Sequence, residues 1–100
     1  MGSTELADVL ASARELLARR GNDFGRSSWK DQESALEELD HVIEKVGRGH
    51  IPKMTLDVLF APTGPIQEVS ISSGWGQEFL AVAEKYDSAI ARARPWWKFW

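Results

Sequence analysis

The spacing of apolar residues changes partway along the chain and changes back before its end, and that pattern restricts the fold more than any other feature. From Glu5 to Arg20, Leu6, Val9, Leu10, Ala13, Leu16 and Leu17 recur every three or four residues, the repeat of one helical face. Thr4 suits the N-cap, Glu5 and Asp8 place negative charge near the positive end, and Arg19 and Arg20 sit at the negative end before Gly21. Asn22 to Ser27 is turn-rich, with Phe24 expected as a plug over the end of the core. A second helix is predicted from Ser28, read as N-cap with Asp31 in the capping-box position, to Gly47. Trp29, Leu36, Leu39, Val42, Ile43 and Val46 line one of its sides.

Beyond Pro52 the period falls to two. Met54, Leu56, Val58 and Phe60 alternate with Thr55, Asp57 and Leu59, which reads as a strand with one buried face. Ala61-Pro62-Thr63-Gly64-Pro65 has turn chemistry, and Gln67, Val69 and Ile71 then alternate with Glu68, Ser70 and Ser72. Two alternating runs across five turn residues predict a β-hairpin. A third helix follows Ser72-Ser73-Gly74-Trp75-Gly76 and runs to about Ala93, with Trp75, Phe79, Val82, Ala83, Tyr86 and Ile90 on one stripe. The expected fold class is α+β, in the order ααββα, with helices packed on one face of the hairpin. Residues 1–94 form the domain and 95–100 an aromatic C-terminal tail. A two-stranded sheet has open edges, so assembly by strand pairing is expected as one route to a homodimer.

Composition narrows the function classes. The chain has 100 residues, a net charge of −3, 43% apolar and 27% charged residues, and no cysteine. Its mean hydropathy is −0.32. These values describe a single globular domain, and the acidic balance argues against a dedicated nucleic-acid binder. The absence of thiols removes disulfides, thiolate catalysis and cysteine zinc sites. No leader pattern opens the sequence and no apolar run reaches membrane-spanning length, so a cytoplasmic location is expected.

The C-terminal segment Arg94-Pro95-Trp96-Trp97-Lys98-Phe99-Trp100 is the most unusual stretch. Four aromatic rings seek a surface, which the chain's own core, a dimer mate or a partner protein would supply. Trp96, Trp97, Lys98, Phe99 and Trp100 are therefore candidate partner-binding residues; interfacial membrane contact is the lesser alternative. Glu33, Glu37, Asp40 and Glu44 form an acidic stripe on the second helix, either a solvated face or a surface for a basic partner. Ser73, Gly74, Trp75 and Gly76 are candidate pocket residues. There, free backbone N–H groups at a helix start would receive an anion or peptide, and a helix cap sealed by Trp75 is the plainer reading.

Other motifs carry less. Glu37, His41 and Glu44 lie at one-turn spacing, but no second nearby histidine supports a metal. Gly47-Arg48-Gly49-His50 follows a helix and precedes an extended run, the wrong order for a phosphate loop. Arg26, Lys30, Arg48 and Lys53 would make a small basic patch if they share one end of the molecule. Catalysis is poorly supported with two histidines and acids on one stripe. The expectation is a non-catalytic protein-interaction or accessory module, without cofactor, using the hairpin edge, the tail or both. An acidic immunity- or inhibitor-type protein and tail-mediated membrane association are the alternatives.

Overall fold

The computed structural model describes the backbone of residues 2–93 and the side chains of residues 5–93. Among these residues there are five helices and no strand: α1 (Gly2–Leu17), α2 (Gln32–Gly47), α3 (Lys53–Phe60), α4 (Pro65–Ser73) and α5 (Gly76–Arg92). The α+β expectation is thus corrected to an all-helical fold.

The first helix follows its sequence signals closely. Leu6, Val9, Leu10, Ala13, Leu16 and Leu17 are all buried, and Gly21 takes the left-handed conformation at φ +81°. Its last carbonyls need donors from outside the helix. Asn22 Nδ2 donates to the carbonyls of Leu16 (2.9 Å) and Leu17 (3.0 Å). Gln32 Nε2 donates to Leu17 (3.0 Å) and Arg19 (3.1 Å), tying the start of α2 to the end of α1. For α2 the N-cap is Asp31, not Ser28: Asp31 Oδ1 accepts the Ser34 N–H at 2.8 Å. Trp29 then belongs to the loop, where it is buried and donates Nε1–H to Glu38.

The predicted hairpin is where sequence and structure part. Leu56, Leu59 and Phe60 are the buried residues of α3, and Ile66, Val69 and Ser70 those of α4. Both sets are spaced three and four apart, the signature of a helical face. Leu59 is only 1% exposed where a strand would have turned it outward, and Met54 and Val58, assigned to the buried face, are 85% and 62% exposed. Alternation arose because outward-facing apolar residues are interleaved with core residues. Start and stop signals were also present. Pro65 occupies the first turn of α4, where its missing N–H costs nothing, and Gly74 stops α4 at φ +86° with its N–H on the Ser70 carbonyl at 2.9 Å. A helix pairs backbone groups within its own segment except at its two ends, whereas an isolated hairpin would leave both edges open along their length. Strand pairing as a route to assembly falls with the hairpin.

Between α3 and α4 the chain turns tightly at Gly64, whose N–H donates to the Ala61 carbonyl (2.9 Å). A Cβ there would lie 2.2 Å from the Val58 carbonyl oxygen, so the close approach admits only glycine. Helix α1 is central, packing on α2, α4 and α5, while α3 packs on α4. One core of apolar side chains runs through all five helices.

Candidate functional site

Three regions combine chemistry with exposure: the face of α2, the outer side of α3 and α4, and the groove between α1 and α5.

On α2, Glu33, Glu37, Asp40 and Glu44 are all exposed, as the helical spacing required. They differ in commitment. Asp40 accepts from Arg14 of α1 through both oxygens, at 2.5 and 3.1 Å, and the guanidinium holds its carboxyl below the usual carboxylate range. Glu44 pairs with Arg48 at 2.9 Å. Glu33 and Glu37 join no ion pair among the described residues. His41 and His50 are both exposed, and no group of three metal-binding side chains gathers among the described residues. In the expected basic patch, Arg48 is tied to Glu44 and Lys53 to Asp57 (2.6 Å).

Ser73, Gly74, Trp75 and Gly76 form the junction between α4 and α5. The Gly74 and Trp75 N–H groups both donate to the Ser70 carbonyl at 2.9 Å, so these two donors are engaged within the fold. Ser73 Oγ accepts the Asp23 N–H at 2.8 Å, and Trp75, 4% exposed, donates Nε1–H to Asn22 Oδ1 at 2.8 Å. The junction thereby locks the loop after α1 onto α5. Trp96, Trp97, Lys98, Phe99 and Trp100 lie outside the described residues.

The sequence reading missed a cluster that joins α3 to α5. Tyr86 donates its hydroxyl to Asp57 Oδ1 (2.8 Å), Lys53 Nζ donates to Asp57 Oδ2 (2.6 Å), and the Phe60 and Tyr86 rings stack at 4.3 Å. Burial, and then the hydrogen bond to Asp57, pushes the Tyr86 phenol well above its ordinary value. Partial burial works to raise Asp57, but hydrogen bonds from Lys53 and Tyr86 outweigh it and hold the carboxyl below the usual range. The cluster is a brace with a firmly ionised carboxylate at its centre. Its only sequence signal was the four-residue spacing of Lys53 and Asp57.

The fold also leaves large apolar residues of α3 and α4 outside its core. Met54 and Val58, one turn apart on α3, and Ile71 on α4 face solvent, Ile71 being 68% exposed. They sit on the sides of their helices away from Leu56, Leu59, Phe60, Ile66 and Val69.

The groove between α1 and α5 was equally invisible in the sequence. Arg92 pairs with Glu5 at one end and Arg19 with Glu78 (2.5 and 3.1 Å) at the other, which sets the two helices antiparallel. Between these pairs lie an open cavity of about 440 Å³, bounded in part by Asp8, Ser12, Glu84 and Lys85, and a second of about 260 Å³ that shares Ser12. Val9, Leu16 and Ala89 are buried along its floor. Ion-pair partners so distant in sequence leave no local pattern. No protein-family model, no curated protein and no solved structure matches this chain.

Proposed function

We propose that this chain is a cytoplasmic, non-catalytic protein-interaction module that docks a partner through the outer side of α3 and α4. The observation that carries the reading is the exposure of Met54, Val58 and Ile71, apolar side chains that contribute nothing to the chain's own core. Single exposed apolar residues are ordinary, but two on successive turns of a helix eight residues long form a ridge. Methionine adapts its shape readily, which suits a contact surface. By its sequence, the segment Trp96-Trp97-Lys98-Phe99-Trp100 supplies a second candidate contact, with aromatic rings beside a cation.

A photo-reactive amino acid placed at position 54 or 58 in cells tests this reading against the same probe at exposed Gln77. A discrete adduct from 54 and 58, absent from 77, is expected. Equal labelling from all three positions, or none, sinks it.

A second reading is an acidic protein that holds a basic partner, and one observation favours it. Glu33 and Glu37 of α2 are exposed and unengaged by any ion pair among the described residues, so their charge remains available. Such a complex would weaken steeply with salt.

A further inference from the structure

We propose that the groove between α1 and α5 is the seat for a basic amphipathic helix of a partner protein. The inference takes from the second reading only the basic partner, and seats it in this groove rather than on Glu33 and Glu37 of α2.

Length comes first. The groove runs from the Glu5–Arg92 pair to the Arg19–Glu78 pair, a distance along α5, from Glu78 to Arg92, of about 21 Å at the helical rise. That accommodates roughly four turns of a third helix. Its walls are two antiparallel helices, and small side chains between them, Ser12, Ala81, Ser88 and Ala89, let a third helix axis come close. Buried Val9, Leu16 and Ala89 supply an apolar floor for the partner's apolar ridge.

Charge selects the partner. Arg92 and Arg19 are held by Glu5 and Glu78, and Glu15 adds a weaker attraction to Arg19. Asp8 and Glu84 then line the groove with Lys85 as the remaining base, and Glu15 continues the acidic edge into the second cavity. Lysines or arginines flanking the partner's apolar ridge would meet these carboxylates. A second copy of this chain, with a net charge of −3, is a poorer match, and a phosphate backbone would be repelled.

The test uses the full chain and a labelled synthetic helix of about 15 residues, with leucine and alanine on one face and lysines beside it. The same peptide with glutamate for lysine is the control, and binding is followed by fluorescence anisotropy. The lysine peptide is expected to bind at low salt and the glutamate peptide not. Asp8→Lys with Glu84→Lys should weaken binding roughly tenfold or more. Ser12→Trp should do the same by filling the groove without changing its charge. Glu33→Lys with Glu37→Lys on α2 should change the affinity less than about twofold. Circular dichroism confirms that each variant is folded, and the charge pair stands in if Ser12→Trp does not fold. If the α2 pair carries the loss and the groove variants bind as the original does, the groove inference is overturned while the basic-partner reading survives. If the original protein does not bind the lysine peptide at low salt, both fall.

Discussion

Gly64 offers a sharp test of the turn between α3 and α4. Its φ is −84°, a value open to any residue, so backbone strain gives no reason for glycine here. The reason is steric: a Cβ would lie 2.2 Å from the Val58 carbonyl oxygen and 3.1 and 3.2 Å from those of Ala61 and Leu59. All three obstacles are backbone atoms, which relax only by moving the end of α3. Gly64→Ala should therefore destabilise by about 1–3 kcal/mol, the usual range for inserting a carbon into packed surroundings. For a domain of this size that lowers Tm by roughly 4–8 °C per kcal/mol. Gly64→Asn separates this account from its rival. Asparagine tolerates positive φ, so a turn that needed left-handed backbone would accept Asn better than Ala; a turn that excludes any Cβ will reject both. Gly47→Ala is the matched control, since nothing lies within 4 Å of its Cβ position at the end of α2. There alanine should stabilise by up to about 1 kcal/mol through helix propensity. Thermal melts followed by circular dichroism read all three. An unchanged Tm for Gly64→Ala, or an Asn variant clearly more stable than the Ala variant, would refute the reasoning.

Further expectations concern the braces and the charges. Tyr86→Phe removes the hydrogen bond to Asp57 but keeps the stacked ring, and should cost about 1–2 kcal/mol, read as a lower urea midpoint at constant m. Because the Tyr86 phenol is raised, its stabilising contribution is complete below its unfolded value near 10 and is lost as pH climbs above it. The same variant should therefore flatten the alkaline limb of a stability–pH profile, and an unchanged limb would count against the burial and the Asp57 hydrogen bond that together raise the phenol. Trp75→Phe strands Asn22 Oδ1 and removes part of a buried ring, for an expected loss of about 1–3 kcal/mol measured by thermal melt. Asp31, Asp40, Asp57 and Glu78 are all held below their ordinary values, so their contributions are present above about pH 4 and lost as pH falls through the folded values. Acid titration of the intact chain should show that decline, and Asp31→Asn, which keeps a capping oxygen but no titrating group, should soften it.

Local chemistry in the sequence determined α1, most of α2, and α5. Each is long enough to repeat its apolar stripe several times, and each ends on glycine or cationic residues placed where helix termini need them. The exposure of Glu33, Glu37, Asp40 and Glu44 was legible for the same reason, being a consequence of helical spacing alone. In α3 and α4 that reasoning broke down, because eight or nine residues give too few turns to separate one period from another. Met54, Val58 and Ile71 imitated the buried side of strands while facing solvent, and only packing distinguishes an apolar residue that fills the core from one that does not. The candidate sites depended even more on the tertiary structure. Glu5 meets Arg92, Arg19 meets Glu78, and Asp57 meets Tyr86 only after the helices have packed. Sequence dictated which face of each long helix turns inward, through the periodic burial of apolar side chains; the groove between α1 and α5, the brace at Asp57 and the uncovered ridge on α3 were decided by how those faces packed, since contacts between distant residues carry no local signature.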